Sequence, residues 1–125
     1  MKQDKFSILK RIKSFVFAFN GLIILIKEEH NSRVHLIAAI SVILAGLYFD
    51  VSMIEWIAIS LSIGFVISLE IVNSAIENIS DFISPEKNDS IKKIKDLAAA
   101  GVLISALTAL TIGLIIFIPK ISLLF

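Results

Sequence analysis

The residues of this chain best suited to chemistry lie in the run Leu69 to Asp81, LEIVNSAIENISD. Glu70, Asn73, Glu77 and Asp81 are spaced three, four and four apart. At about 100° per residue they fall within about 80° of arc on one face of a helix. Ser74 sits beside them, while Ile71, Val72, Ile76 and Ile79 take the other faces. Three carboxylates on one stripe repel each other. Near the end of a membrane helix each also resists dehydration, at up to roughly 2.5–3.5 kcal/mol at the bilayer centre and less near the surface. One account is that the helix has simply emerged into water, which suits Asp81 better than Glu70. Glu70 abuts an apolar stretch, and its stripe carries no basic residue. A divalent metal with phosphate ligands is the more economical partner, because magnesium is held by one or two carboxylates together with nucleotide phosphates.

Two further groups bear on such a site. Glu28 and Glu29 form a second acidic pair just before an apolar stretch; Glu29 is placed to complete a metal site, or else the pair is solvated beside Lys27. Lys95 and Asp96 stand at the entry of the last apolar stretch. A fixed cation there can offset phosphate charge, as in phosphoryl transfer, whereas Lys92 and Lys93 suit an interfacial anchor. Ala98, Ala99, Ala100 and Gly101 follow at once. Small residues let helices approach closely, which predicts that Lys95 is brought near another helix. His30 and His35 are five apart and share no helical face, so both are expected to be interfacial or packing residues. Cysteine is absent, and with it disulfides and thiolate metal sites. The five glycines form neither a Walker loop nor a Gly-x-Gly-x-x-Gly, and there is no His-Glu-x-x-His.

These groups must be positioned by membrane helices. The 125 residues are 57% hydrophobic, with a mean hydropathy of +0.91. That excess is too large for so short a chain to hide in a water-soluble core. The net charge of +1 provides no field for nucleic acid. Three uncharged stretches stand out: Val34 to Phe49, Trp56 to Leu69 and Leu97 to Pro119. The third is long enough to span outright; the first two span with flanking residues at the interfaces or inside a bundle. Tyr48 and Trp56 bracket the link between them, as interfacial aromatics do. Lysine and arginine crowd the amino-terminal segment and the link Ser84 to Asp96, and avoid the link Asp50 to Glu55. The positive-inside rule then places the amino terminus in the cytoplasm and the carboxyl terminus outside, with only Lys120 opposed. Ile8, Ile12, Phe15, Phe19, Leu22 and Ile26 recur on one helical face, giving an amphipathic helix that lies on the cytoplasmic leaflet, packs on its own bundle, or both. No small-residue cleavage site follows, so no signal peptide is expected. The predicted architecture is an all-α integral membrane domain: a surface helix over 1–29, transmembrane helices over 33–49, 54–83 and 96–118, and a cytoplasmic link over 84–95.

The run Glu70-x-x-Asn73-x-Ala75-Ile76-Glu77-x-x-x-Asp81, followed by Lys95-Asp96, resembles the signature of the prokaryotic diacylglycerol kinase family. Glu29-x-Asn31 with His35, Ile54-Glu55-Trp56, Ser84-Pro85-Glu86 and the tail Ile116 to Lys120 look like the Gram-positive branch, which includes undecaprenol kinases. The resemblance implies a lipid kinase of the bacterial cell (inner) membrane that uses ATP and Mg2+. The acceptor would be a lipid alcohol, undecaprenol first and diacylglycerol second. It implies Glu70 as catalytic base, Glu29 and Glu77 as metal ligands, and Asn73 beside the transferring phosphate. Lys95 and Asp96 would bind nucleotide, with Glu86, Lys87 and Asn88 as a further nucleotide-contacting stretch. It also implies a homotrimer with composite active sites. Glu86-Lys87-Asn88 lacks the Tyr-His usual after that glutamate, which leaves the adenine contacts open. A non-catalytic three-span accessory protein explains the hydropathy equally well, but not the acidic stripe. A channel or cation carrier would need carboxylates at mid-membrane, whereas these cluster toward one leaflet.

Overall fold

A computed structural model gives the fold, and the structure describes residues 6–86 and 88–125. Lys87, and the first five residues of the expected surface helix, lie outside them. Four helices follow one another: α1 (Ile8–Glu28), α2 (His30–Tyr48), α3 (Met53–Ile83) and α4 (Asp89–Ser122). The last three are long and apolar enough to cross a membrane.

Local chemistry sets each boundary. Ser7 caps α1, its side chain accepting from the Lys10 N–H. One residue, Glu29, separates α1 from α2, with extended backbone at φ −113° and ψ 112°. Arg33 secures this joint: its Nε donates to the Ile26 carbonyl at 2.7 Å and its Nη2 to the Lys27 carbonyl at 2.6 Å. The last carbonyls of α1, which have no partner within the helix, are thereby satisfied by a cation that also suits the helix dipole. At the end of α2 the Val51 N–H returns to the Gly46 carbonyl at 3.1 Å, with Asp50 at φ 52°. This is a Schellman ending with aspartate, one of the few tolerant side chains, in the left-handed position. Ser52 and Glu55 then form a reciprocal capping box that starts α3.

α3 ends at Ile83, just before Ser84-Pro85, where a helix is disfavoured. α4 starts at Asp89 rather than near 96, because the Asn88 side chain accepts from the Ser90 and Ile91 N–H groups and Asp89 suits the first turn. Most of the expected link is therefore helical, and Lys92, Lys93 and Lys95 project from α4 itself.

α3 and α4 share the most extensive contact, and α2 adds to it. A small core of Val51, Ile59 and Ile116 is flanked by Val42, Trp56 and Phe117. Most other large apolar side chains are exposed, as they can be only in lipid or against another chain. Leu25 is the one buried residue of α1, so α1 does not pack on its own bundle along its length. Trp56 is half-buried with its ring against Gly46, while Tyr48 stays exposed. One expectation about packing is corrected. The run Ala98 to Gly101 does not provide the close approach of helices: Ala99 and Ala100 are exposed, and a methyl group on Gly101 would meet nothing within 4 Å. Smallness marks where helices can approach, not which face they use.

The closest approach is at Gly46, where a Cβ would stand 2.6 Å from the Trp56 ring. Gly46→Ala should cost about 1–3 kcal/mol, the usual range for overpacking a filled site. Thermal unfolding in detergent should show a lowered Tm for this variant. Gly113→Ala, with nothing within 4 Å of the new methyl, is the control and should leave Tm unchanged.

Candidate active site

The buried face of α3 carries Ile59, Ser62, Val66, Glu70 and Ser74. Small serines at helical spacing let α2 and the α1–α2 joint come close, and the acid between them is enclosed. Glu70 is only 3% exposed. Its Oε2 accepts from the Ser32 hydroxyl at 3.3 Å. His35 Nε2 stands 3.0 Å from Oε1, yet no donor is aligned on that oxygen among the described residues. One turn on, the Ser74 hydroxyl donates to Glu29 Oε1 at 3.2 Å. The extended joint thus delivers the Glu29 carboxylate to α3, between the positions of Glu70 and Glu77. Asn73 Oδ1 is buried and has no hydrogen-bond partner among the described residues. A buried acceptor without a donor is costly unless a ligand completes it.

The acids toward the carboxyl end of α3 meet α4. Lys95 forms an ion pair with Asp81, and Glu77 lies within electrostatic reach of the same ammonium group. The α3–α4 turn itself brings Lys95 to the stripe. Asp81, Glu86, Asn88, Lys95 and Asp96 line one cleft of about 420 Å3. Asp96 pairs with Lys92 at 2.6 Å within α4, and the Asn88 side-chain oxygen is engaged in capping. Glu29, Glu70, Asn73 and Glu77 do not line that cleft; they stand along α3 from it. A second, apolar groove of about 410 Å3 runs between α2, α3 and α4, lined by Val42, Ile59, Val66 and Ala109, with His35 among its walls.

The donor set fits magnesium rather than a softer metal. No group of three His, Cys, Asp or Glu side chains that could hold a metal occurs among the described residues. Glu29 and Glu77 would supply two carboxylates, and the coordination would be completed by phosphates and water, as magnesium prefers. Ser32 and His35 are the contacts the sequence analysis did not assign. They are three apart on one face of α2, and that spacing was the available signal.

The profile of the prokaryotic diacylglycerol kinase family matches residues 16–117. The chain is 41% identical to the undecaprenol kinase of Bacillus subtilis strain 168 over 108 residues, 86% of this chain and 88% of that protein. It is 29% identical to a diacylglycerol kinase of Synechocystis over 85% of this chain and 61% of the relative. With the diacylglycerol kinase of Escherichia coli K12 it shares 30% identity over 78% of this chain and 80% of the relative.

Proposed function

The chain belongs to the prokaryotic diacylglycerol kinase family, and from that premise we propose that it transfers the γ-phosphoryl group of ATP to the hydroxyl of undecaprenol, giving undecaprenyl phosphate. It is a lipid kinase with three membrane-crossing helices. The observation that carries the finer reading is Glu70: a carboxylate 3% exposed in a membrane helix, with one oxygen that lacks an aligned donor. Such a group is poised to accept a proton.

Glu70 acts as the general base on the lipid hydroxyl, which reaches it from the bilayer. Glu29 and Glu77 would hold magnesium, and Asn73 would turn its amide to the phosphate. Bound magnesium would neutralise charge that develops on the phosphates. Lys95, held toward the cleft by Asp81, offsets charge on the transferred group, while Asp96, Glu86 and Asn88 border the space for the nucleotide. Much of the acceleration comes from position and electrostatics. The amino terminus and the α3–α4 turn face the cytoplasm, and α1 lies along that leaflet with its apolar face in lipid. Three copies assemble into a homotrimer, which covers part of the apolar surface that one chain leaves open.

Undecaprenol is favoured over diacylglycerol by the 41% identity to the Bacillus undecaprenol kinase, against 29–30% to the two diacylglycerol kinases above. The test compares undecaprenol, diacylglycerol and ceramide side by side, with labelled ATP and magnesium and the purified chain. A kcat/KM at least about tenfold higher for undecaprenol, some 1.4 kcal/mol of discrimination, is expected. A preference for diacylglycerol would transfer the assignment to the runner-up. Failure to phosphorylate any long-chain alcohol would remove it.

A further inference from the structure

We propose that His35 is the positioning residue for Glu70, holding the carboxylate in the rotation that presents Oε1 to the lipid alcohol. The proposal rests on the reading of Glu70 as the base.

A carboxylate that is 3% exposed has lost nearly all its hydration. Its oxygens need protein donors in place of that water. Two side chains are in reach among the described residues. Ser32 donates to Oε2 at 3.3 Å, and His35 Nε2 stands 3.0 Å from Oε1. The imidazole is therefore the one nitrogen donor placed at Glu70 among the described residues.

The two carboxylate oxygens are not equivalent. Oε2 is pinned by a hydroxyl, which fixes the plane of the group. Oε1 is buried with a ring nitrogen beside it but no aligned hydrogen bond among the described residues, so its lone pairs are not committed to a protein donor. Ser32 and His35 lie one helical turn apart on α2 and address opposite oxygens of one acid on α3. Such a two-point clamp restricts rotation of a side chain that would otherwise have freedom to leave the reactive geometry. The His35 ring is about one quarter exposed and also lines the apolar groove between α2, α3 and α4. It thus stands where apolar surface meets the base, as a residue that orients both partners of a proton transfer would.

The test uses the full chain in bilayers. His35→Ala should lower kcat by about tenfold or more while KM for ATP stays within about twofold, because orientation of the base is lost and the nucleotide cleft is untouched. His35→Gln, whose amide nitrogen can stand where Nε2 stood, should recover most of the loss. A readout independent of turnover is the 15N resonances of the imidazoles. The chain has two histidines, and His30→Gln assigns them. His35 Nε2 should be protonated, and its resonance should move in Glu70→Gln. A His35→Ala enzyme at the wild-type kcat, or a His35 resonance indifferent to Glu70→Gln, overturns the proposal while a dead Glu70→Gln leaves the base assignment intact. Full turnover in Glu70→Gln overturns both.

Discussion

Glu70→Gln is expected to assemble normally and to lose turnover by about 10²–10⁴-fold, the usual contribution of a positioned general base. The substitution keeps the shape of the side chain and an oxygen that can accept from Ser32, but it removes the lone pair that takes the proton. Stability should not fall. Glu70 is 3% exposed in a membrane helix, and neutralising a buried carboxylate removes its desolvation cost. The unfolding temperature in detergent should equal or exceed that of the parent. ATP binding should also persist, since Glu70 does not line the cleft of Asp81, Glu86, Lys95 and Asp96. Folding, nucleotide binding and turnover are therefore separable in one variant. Near-parental turnover would place the base elsewhere.

The second large effect is expected at Glu29. Glu29→Gln keeps the carbonyl oxygen that accepts from Ser74, and it leaves the Arg33 clamp on the joint intact. What it removes is one of two anions available to magnesium. The magnesium concentration for half-maximal activity should rise by about 10–100-fold, with partial recovery of rate at high magnesium. Ser74→Ala isolates the support from the ligand: it should weaken the magnesium response by only a few fold, about the worth of one net hydrogen bond. An unchanged magnesium curve in Glu29→Gln would make Glu29 a joint residue and nothing more.

The candidate site was legible along one helix and much less so across helices. The period of 3.6 places Glu70, Asn73, Glu77 and Asp81 on one stripe, and α3 carries all four. Periodicity treats them alike, whereas the fold does not. Glu70 is enclosed because Ser32 and His35 of α2 cover it; Asp81 is exposed and meets Lys95. His35 shares no helical face with His30, and its informative neighbour is Ser32. Sequence spacing on one helix cannot name the partner on another. The same limit explains Ala98 to Gly101, whose small side chains mark no particular face, and Trp56, whose ring lies against Gly46. The start of α4 was misplaced for a different reason. Lysines mark a link by composition, but the Asn88 cap sets the helix boundary regardless of the charges that follow.

Lys120, the one cation at odds with the charge asymmetry of the chain, pairs with Glu55 at 2.8 Å. Glu55 and Asp81 are about 39 Å apart along α3, and Lys95 and Lys120 about 38 Å apart along α4, at 1.5 Å per residue. The two antiparallel helices are thus bolted at both extremities by ion pairs of matched separation. Sliding one past the other by a single turn, about 5.4 Å, would break both bolts together. The hairpin behaves as a rigid strut. That leaves the extended joint at Glu29, one residue between two helices, as the break in the architecture about which the chain can bend, and it would put the proposed metal ligand at that point.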